Sequence, residues 1–168
     1  MEQLHLLIDA ALAAPDHGRL HPSRFVAVHE GDREALARVF VAGASELEPN
    51  APEEALQRDA EKARHASCLL AIIARVIASH DIVPPSEQWI SVGAAMQNML
   101  LAAEALGFGA MIVSGHKVRT KALREAFGLA SDEHLVGFIA IGTPESAPKP
   151  IDRPAGRDHM VDWVPPAP

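Results

Sequence analysis

The sequence predicts an α+β layered domain, and three observations carry that expectation. Four short apolar runs have strand character, and they alternate with segments whose apolar residues recur at spacings of three and four. The chain has 168 residues, the size of one domain with a sizeable core. Interleaving alone does not decide strand direction.

From Glu2 to Ala14, Leu4, Leu7, Ile8, Ala11 and Leu12 recur at helical spacing, and Pro15 stops the helix. Arg24 to His29 lies between Pro22 and Gly31-Asp32 and reads as a strand. Asp32 can then cap a helix carrying Ala35, Leu36 and Val39. Gly43 to Pro52 is small, acidic and proline-containing, which predicts a loop before a polar helix from Glu53 to His65. Ser67 to Val76 is a β-branched apolar run, which predicts a central strand covered on both faces. His80 to Ser86, with two prolines, reads as a loop.

The longest helix is expected from Glu87 to Leu106, where Val92, Ala95, Met96, Met99, Leu100, Ala103 and Leu106 form the apolar stripe. Gly107 stands where a left-handed cap belongs. A short strand, Ala110 to Val113, precedes a helix from Lys117 to Phe127, and His134 to Ile141 is the last strand. Pro144 to Pro168 contains seven prolines and almost no periodicity. Such a tail is expected to extend over another surface, a second subunit being the natural candidate.

Composition narrows the function. Fifteen Lys and Arg against 22 Asp and Glu leave a net charge of -7, the wrong sign for a protein that neutralises nucleic acid or anionic membrane. The single cysteine, Cys68, forms no intramolecular disulfide, and no apolar run reaches membrane-spanning length. Met1-Glu2-Gln3-Leu4-His5 is not a secretory signal, so the expected setting is cytoplasmic.

Several motifs tempt a chemical reading. His17 and His21 stand four apart, but a proline, a glycine and the lack of an intervening Glu argue against a zinc helix. No Gly-x-Ser-x-Gly elbow supports a hydrolase triad. Cys68 and the Met96 and Met99 pair read as core. Gly107-Phe108-Gly109 precedes a strand and lacks a third glycine, unlike a dinucleotide fingerprint. Lys149, Arg153 and Arg157 serve solubility or clamp an anion, and the residues alone leave both open.

Three stretches together resemble the nitroreductase family of flavin-dependent oxidoreductases, in its small single-domain branch. They are Ala14-Pro15-Asp16-His17-Gly18-Arg19-Leu20-His21-Pro22-Ser23-Arg24-Phe25, the stretch from Gly93 to Gly109, and Val136-Gly137-Phe138-Ile139-Ala140-Ile141-Gly142-Thr143-Pro144. The resemblance implies a single domain over residues 1–168 with a mostly antiparallel sheet covered by helices. It also implies an intertwined homodimer, with the tail from 144 to 168 packed on the partner.

It implies FMN at sites built across the interface, NAD(P)H as co-substrate, and ping-pong reduction of nitroaromatic, quinone or similar acceptors. By position, His17 and His21 are implied near the flavin, and Ile112, Val113 and Ser114 along its ring. Arg153 or Arg157 is implied at the phosphate. Ala102, Ala103, Glu104, Ala105, Leu106 and Gly107 match a stretch assigned to nicotinamide contact. Family members carry an Arg-Arg-Ser type motif about a helix before the Asp16 loop, a position ahead of Met1. One fewer bidentate phosphate contact would lower flavin affinity by about 1.5 to 3 kcal/mol. The alternative that follows is a non-catalytic dimer of the same fold that binds or sequesters a small ligand or flavin.

Overall fold

The structure is a computed structural model, which describes residues 2–146 and 150–166; the tail cation Lys149 lies outside them. Four strands, β1 (Ser23–Val28), β2 (Cys68–Arg75), β3 (Gly109–Val113) and β4 (Glu133–Gly142), pair in the order β1-β2-β4-β3, antiparallel throughout. Five helices surround them: α1 (Glu2–Leu12), α2 (Arg33–Leu47), α3 (Glu53–Arg64), α4 (Pro85–Ala105) and α5 (Lys121–Ala126).

The pattern of β2 dictates three layers. Side chains alternate across a strand, and here both sets are apolar. Leu70, Ile72 and Ala74 pack with Leu7 and Ala11 of α1 and with Val92, Met96, Met99 and Ala103 of α4. Leu69, Ala71 and Ile73 pack on the opposite face with Leu36 and Phe40 of α2, Ala63 of α3 and Leu123 of α5. A fully buried Leu or Ile contributes about 1.5 to 3 kcal/mol, so a doubly covered β2 anchors the domain. Gln88 is buried inside α4, yet its amide is satisfied: Nε2 donates to the Ile77 and Val83 carbonyls, and Oε1 accepts from the Ile77 N–H at 2.8 Å.

Three expectations need correction. The predicted loop at Gly43 is the last part of α2, which runs to Leu47. A Cβ at Gly43 would lie 2.8 Å from Leu123 Cδ1 and Thr120 Oγ1, so this glycine admits α5 rather than breaking α2. The helix predicted from Lys117 divides into a 3-10 turn, His116–Arg119, and α5. The break is held from outside: the Glu46 carboxylate of α2 accepts the Lys121 and Ala122 N–H groups, both at 2.8 Å, and so caps α5. Finally, α4 begins at Pro85, because a proline in the first turn loses no intrahelical bond.

Gly107 follows α4 with φ +83, as a left-handed cap requires. Cys68 is half-buried at the start of β2, and burial pushes its thiol above the ordinary value, leaving a small hydrophobe. Residues 150–166 are exposed, and among the described residues they make no hydrogen bond or ion pair with the rest of the domain.

Candidate active site

The site begins where β3 leaves the sheet. Pairing between β2 and β4 steps from Ile72 opposite Gly137 to Ile73 opposite Leu135, so Val136 is an unmatched residue in the ladder. Its carbonyl accepts a hydrogen bond from Ser114 Oγ at 2.7 Å. Gly137 permits the crossing: a Cβ there would stand 2.7 Å from the Val113 carbonyl oxygen and 3.1 Å from Ser114 Cβ. The chain therefore turns outward after Val113. Between this turn, α4 and α5 lies a cavity of about 590 Å³ lined by Trp89, Ser114, Gly115, His116, Val118, Arg119, Arg124, His134, Leu135 and Val136.

Its electrostatics oppose those of the chain. Although the net charge is -7, the lining residues include two arginines and two histidines and no carboxylate. The Trp89 and His134 rings lie 5.6 Å apart at 53°, forming a tilted aromatic wall. A Cβ at Gly115 would meet nothing within 4 Å, so the backbone there is open. A concave volume of this size, with cations, an aromatic wall and exposed backbone, suits a planar anionic ligand.

Surrounding ion pairs hold the walls. Arg124 donates from Nη1 to the Glu133 carbonyl at 3.2 Å and from Nη2 to the Ala130 carbonyl at 3.0 Å. The Glu133 carboxylate binds Arg24 through two hydrogen bonds, 2.6 and 2.8 Å, and accepts the Ala130 N–H. The Arg24 hydrogen bond, against the opposing effect of burial, holds the Glu133 carboxyl down at about 2. Lys117 pairs with the buried Asp59 carboxylate of α3, which also binds Lys62 at 2.6 Å. Burial pushes the Asp59 carboxyl up, but the bonds from both lysines prevail and hold it below the ordinary value.

A second constellation lies in the loop before β1. His17 Nδ1 meets Glu87 of α4 at 2.5 Å, which fixes the loop over the start of that helix. Arg19 and His21 have φ of 54 and 48, left-handed values that cost about 1 kcal/mol or more in a residue with a Cβ. Asp16 offsets part of that strain, since its Oδ2 accepts the His21 N–H at 2.7 Å. Its other oxygen is buried without a hydrogen-bond partner beside a recess shared with His21 and Ser91.

The residues predicted from sequence thus fall into separate places. His17 and His21 share the strained loop, whereas Ser114 lines the large cavity. Ile112 and Val113 lie on the edge strand β3 leading to it. At the end of α4, Ala103 is 0% exposed and packs in the core, Ala102 is half-buried, and Glu104, Ala105, Leu106 and Gly107 face outward; none of the six lines the cavity. Arg153 and Arg157 stand in the exposed tail, Arg157 Nε 3.7 Å from Asp158. Sequence reasoning missed Trp89, His116, Arg119, Arg124 and His134. One signal was available, the basic run His116-Lys117-Val118-Arg119 directly after Ser114-Gly115.

Among the described residues, no group of three or more His, Cys, Asp or Glu side chains gathers to hold a metal ion, and no helix is long and apolar enough to cross a membrane.

Comparison with known proteins gives these features a family. A Haemophilus influenzae protein named "Putative NAD(P)H nitroreductase" is 34% identical over 142 residues, covering 84% of this chain and 76% of that protein. Escherichia coli "Putative NAD(P)H nitroreductase YdjA" is 32% identical over 144 residues, 86% of this chain and 77% of its own length. In fold, the chain is similar to a "Nitroreductase-like Family Protein" from Bacillus cereus, with a TM-score of 0.81 and 20% identity over 96% of this chain and 84% of that one. It is also similar to a Desulfovibrio desulfuricans structure described as a "putative nitroreductase in complex with fmn", with a TM-score of 0.71 and 24% identity over 98% and 86% of the two chains. The model of the Nitroreductase family matches residues 1–143, and with it the three layers, the long α4 and the antiparallel sheet find their common origin: the chain belongs to the nitroreductase family.

Proposed function

We propose that the protein is an FMN-dependent NAD(P)H oxidoreductase that reduces nitroaromatic, quinone or similar acceptors. The observation that carries this reading is the cavity beside Ser114, cationic and aromatic in an acidic chain and free of carboxylates. The Ser114 hydroxyl and the open Gly115 backbone at its β3 rim fit the polar edge of a flavin ring, and the space bounded by Arg119, Trp89 and His134 is left for the acceptor. The names of the Haemophilus and Escherichia relatives and the FMN of the Desulfovibrio structure support the same reading. When bound, FMN supplies a hydride relay between NAD(P)H and an oxidised acceptor. The residues of this chain need only bind and orient it.

In this reading Ile112, Val113 and Ser114 border the flavin ring, and the open backbone at Gly115 offers it a polar edge. Arg153 or Arg157 meets the phosphate once the tail is docked, and Ala102 to Gly107 form the outer nicotinamide contact, Ala103 acting only through packing. The functional unit is a homodimer in which the tail wraps the partner. The outward face of α4 supports that assembly, since Ile90 is 70% and Leu101 55% exposed along a single helix. The dimer brings the loop of His17 and His21 to the partner's flavin.

The test is the visible spectrum of the protein after incubation with excess FMN and removal of free cofactor, together with NAD(P)H oxidation. A retained flavin band and turnover above that of free FMN are expected. Protein without a band and without added turnover would overturn the proposal.

A further inference from the structure

Within the large cavity the polar groups are not equivalent. Arg124 is committed to the carbonyls of Ala130 and Glu133. Arg119 is exposed, and among the described residues it has no hydrogen bond or ion pair. Arg119 lines a cavity that has no carboxylate among its lining residues, and the same cavity carries the tilted Trp89 and His134 rings. An unpaired guanidinium offers two parallel N–H donors, which match the two oxygens of a carboxylate, while the aromatic wall matches a planar ring.

Resting on the oxidoreductase reading above, we propose that the acceptor this cavity selects is an aromatic compound carrying a carboxylate, with the ring against Trp89 and His134 and the carboxylate on Arg119. Removing Arg124 from its carbonyls would cost two hydrogen bonds, whereas Arg119 gives up none, so discrimination falls on Arg119. No carboxylate among the lining residues competes for it, so an anionic substrate displaces only water from Arg119. Arg119 is therefore a specificity-determining residue.

The experiment uses the full chain carrying Trp163→Phe, so that Trp89 is the only tryptophan. Quenching of Trp89 fluorescence is titrated with para-nitrobenzoate and with its neutral isostere para-nitrobenzamide, without flavin. The benzoate should bind about tenfold more tightly, as one charge-assisted pair provides, and Arg119→Gln should bring it to the affinity of the benzamide. Arg119→Lys should keep part of the preference. Equal affinities in the parent protein, or a preference unchanged by Arg119→Gln, would overturn the assignment. Turnover of both compounds with FMN and NAD(P)H is read separately. Charge preference without turnover sinks the oxidoreductase reading alone, and turnover without charge preference sinks this inference alone.

Discussion

Arg24 and Glu133 join the two outer neighbours of β2 across that strand: Arg24 Nε lies 2.6 Å from Glu133 Oε1, although 109 residues separate them. The same carboxylate accepts the Ala130 N–H, and Arg124 of the cavity wall binds the Ala130 and Glu133 carbonyls. The pair thus connects sheet stability to the shape of the site.

This pair gives the protein an acid-labile element. In the folded state the Glu133 carboxyl is held at about 2 against an ordinary 4.5, so the unfolded chain binds more protons between those values. The stabilisation is complete above the ordinary value and is lost as pH falls through it toward the folded value. Urea midpoints at about pH 6 and about pH 3 should differ more for the parent than for Glu133→Gln, which should itself lose about 2 kcal/mol at the higher pH.

Gly137→Ala tests the crossing at the end of β3. The added Cβ would meet a backbone oxygen at 2.7 Å, which has no rotamer by which to retreat. The variant should lose about 1 to 3 kcal/mol in chemical denaturation. It should also bind FMN more weakly, since Ser114 and the cavity wall must shift.

The exposed side of α4 tests the dimer. Leu101→Glu replaces a largely exposed side chain, so the thermal transition of an isolated subunit should move little. Sedimentation at low micromolar concentration should show the parent as a dimer and the variant as a monomer. A variant that stays dimeric would remove this face from the interface.

His17→Ala and Gly107→Val separate binding from folding. His17 and Glu87 are both substantially exposed, so their pair contributes less than about 1 kcal/mol, and the variant should unfold with the parent while binding FMN several-fold more weakly. Gly107 holds φ +83 with open space around it, so valine there is strained by its backbone alone and should cost about 1 to 3 kcal/mol. Equal destabilisation by the two variants would contradict the role of His17.

Legibility in the sequence followed the range of the interaction. The β2 run, the stripe of α4 and the cap at Gly107 were all readable, because burial on both faces, helical period and left-handed backbone leave local marks. The break before α5 was not, since its cap comes from Glu46, a residue 75 positions earlier. Gly43 misled for a related reason: a glycine that admits a distant helix looks in sequence like one that ends its own. Ser114 was named through family resemblance, whereas Arg119 was missed although it closes a short basic run, and His134 was missed because it opens a run that reads as a core strand.

By itself the sequence determined most of the element types, the doubly covered strand and the acidic balance, since these depend on composition and near-neighbour spacing. Tertiary structure alone decided that the sheet is antiparallel throughout, that Val136 is left unmatched opposite β2, and that Arg119 of the 3-10 turn and Arg124 of α5 meet Trp89 of α4 and His134 of β4 around one cavity of an acidic chain. Those outcomes rest on hydrogen-bond register and on contacts between residues far apart in the chain. Side chains acquire such relationships only once the layers have packed.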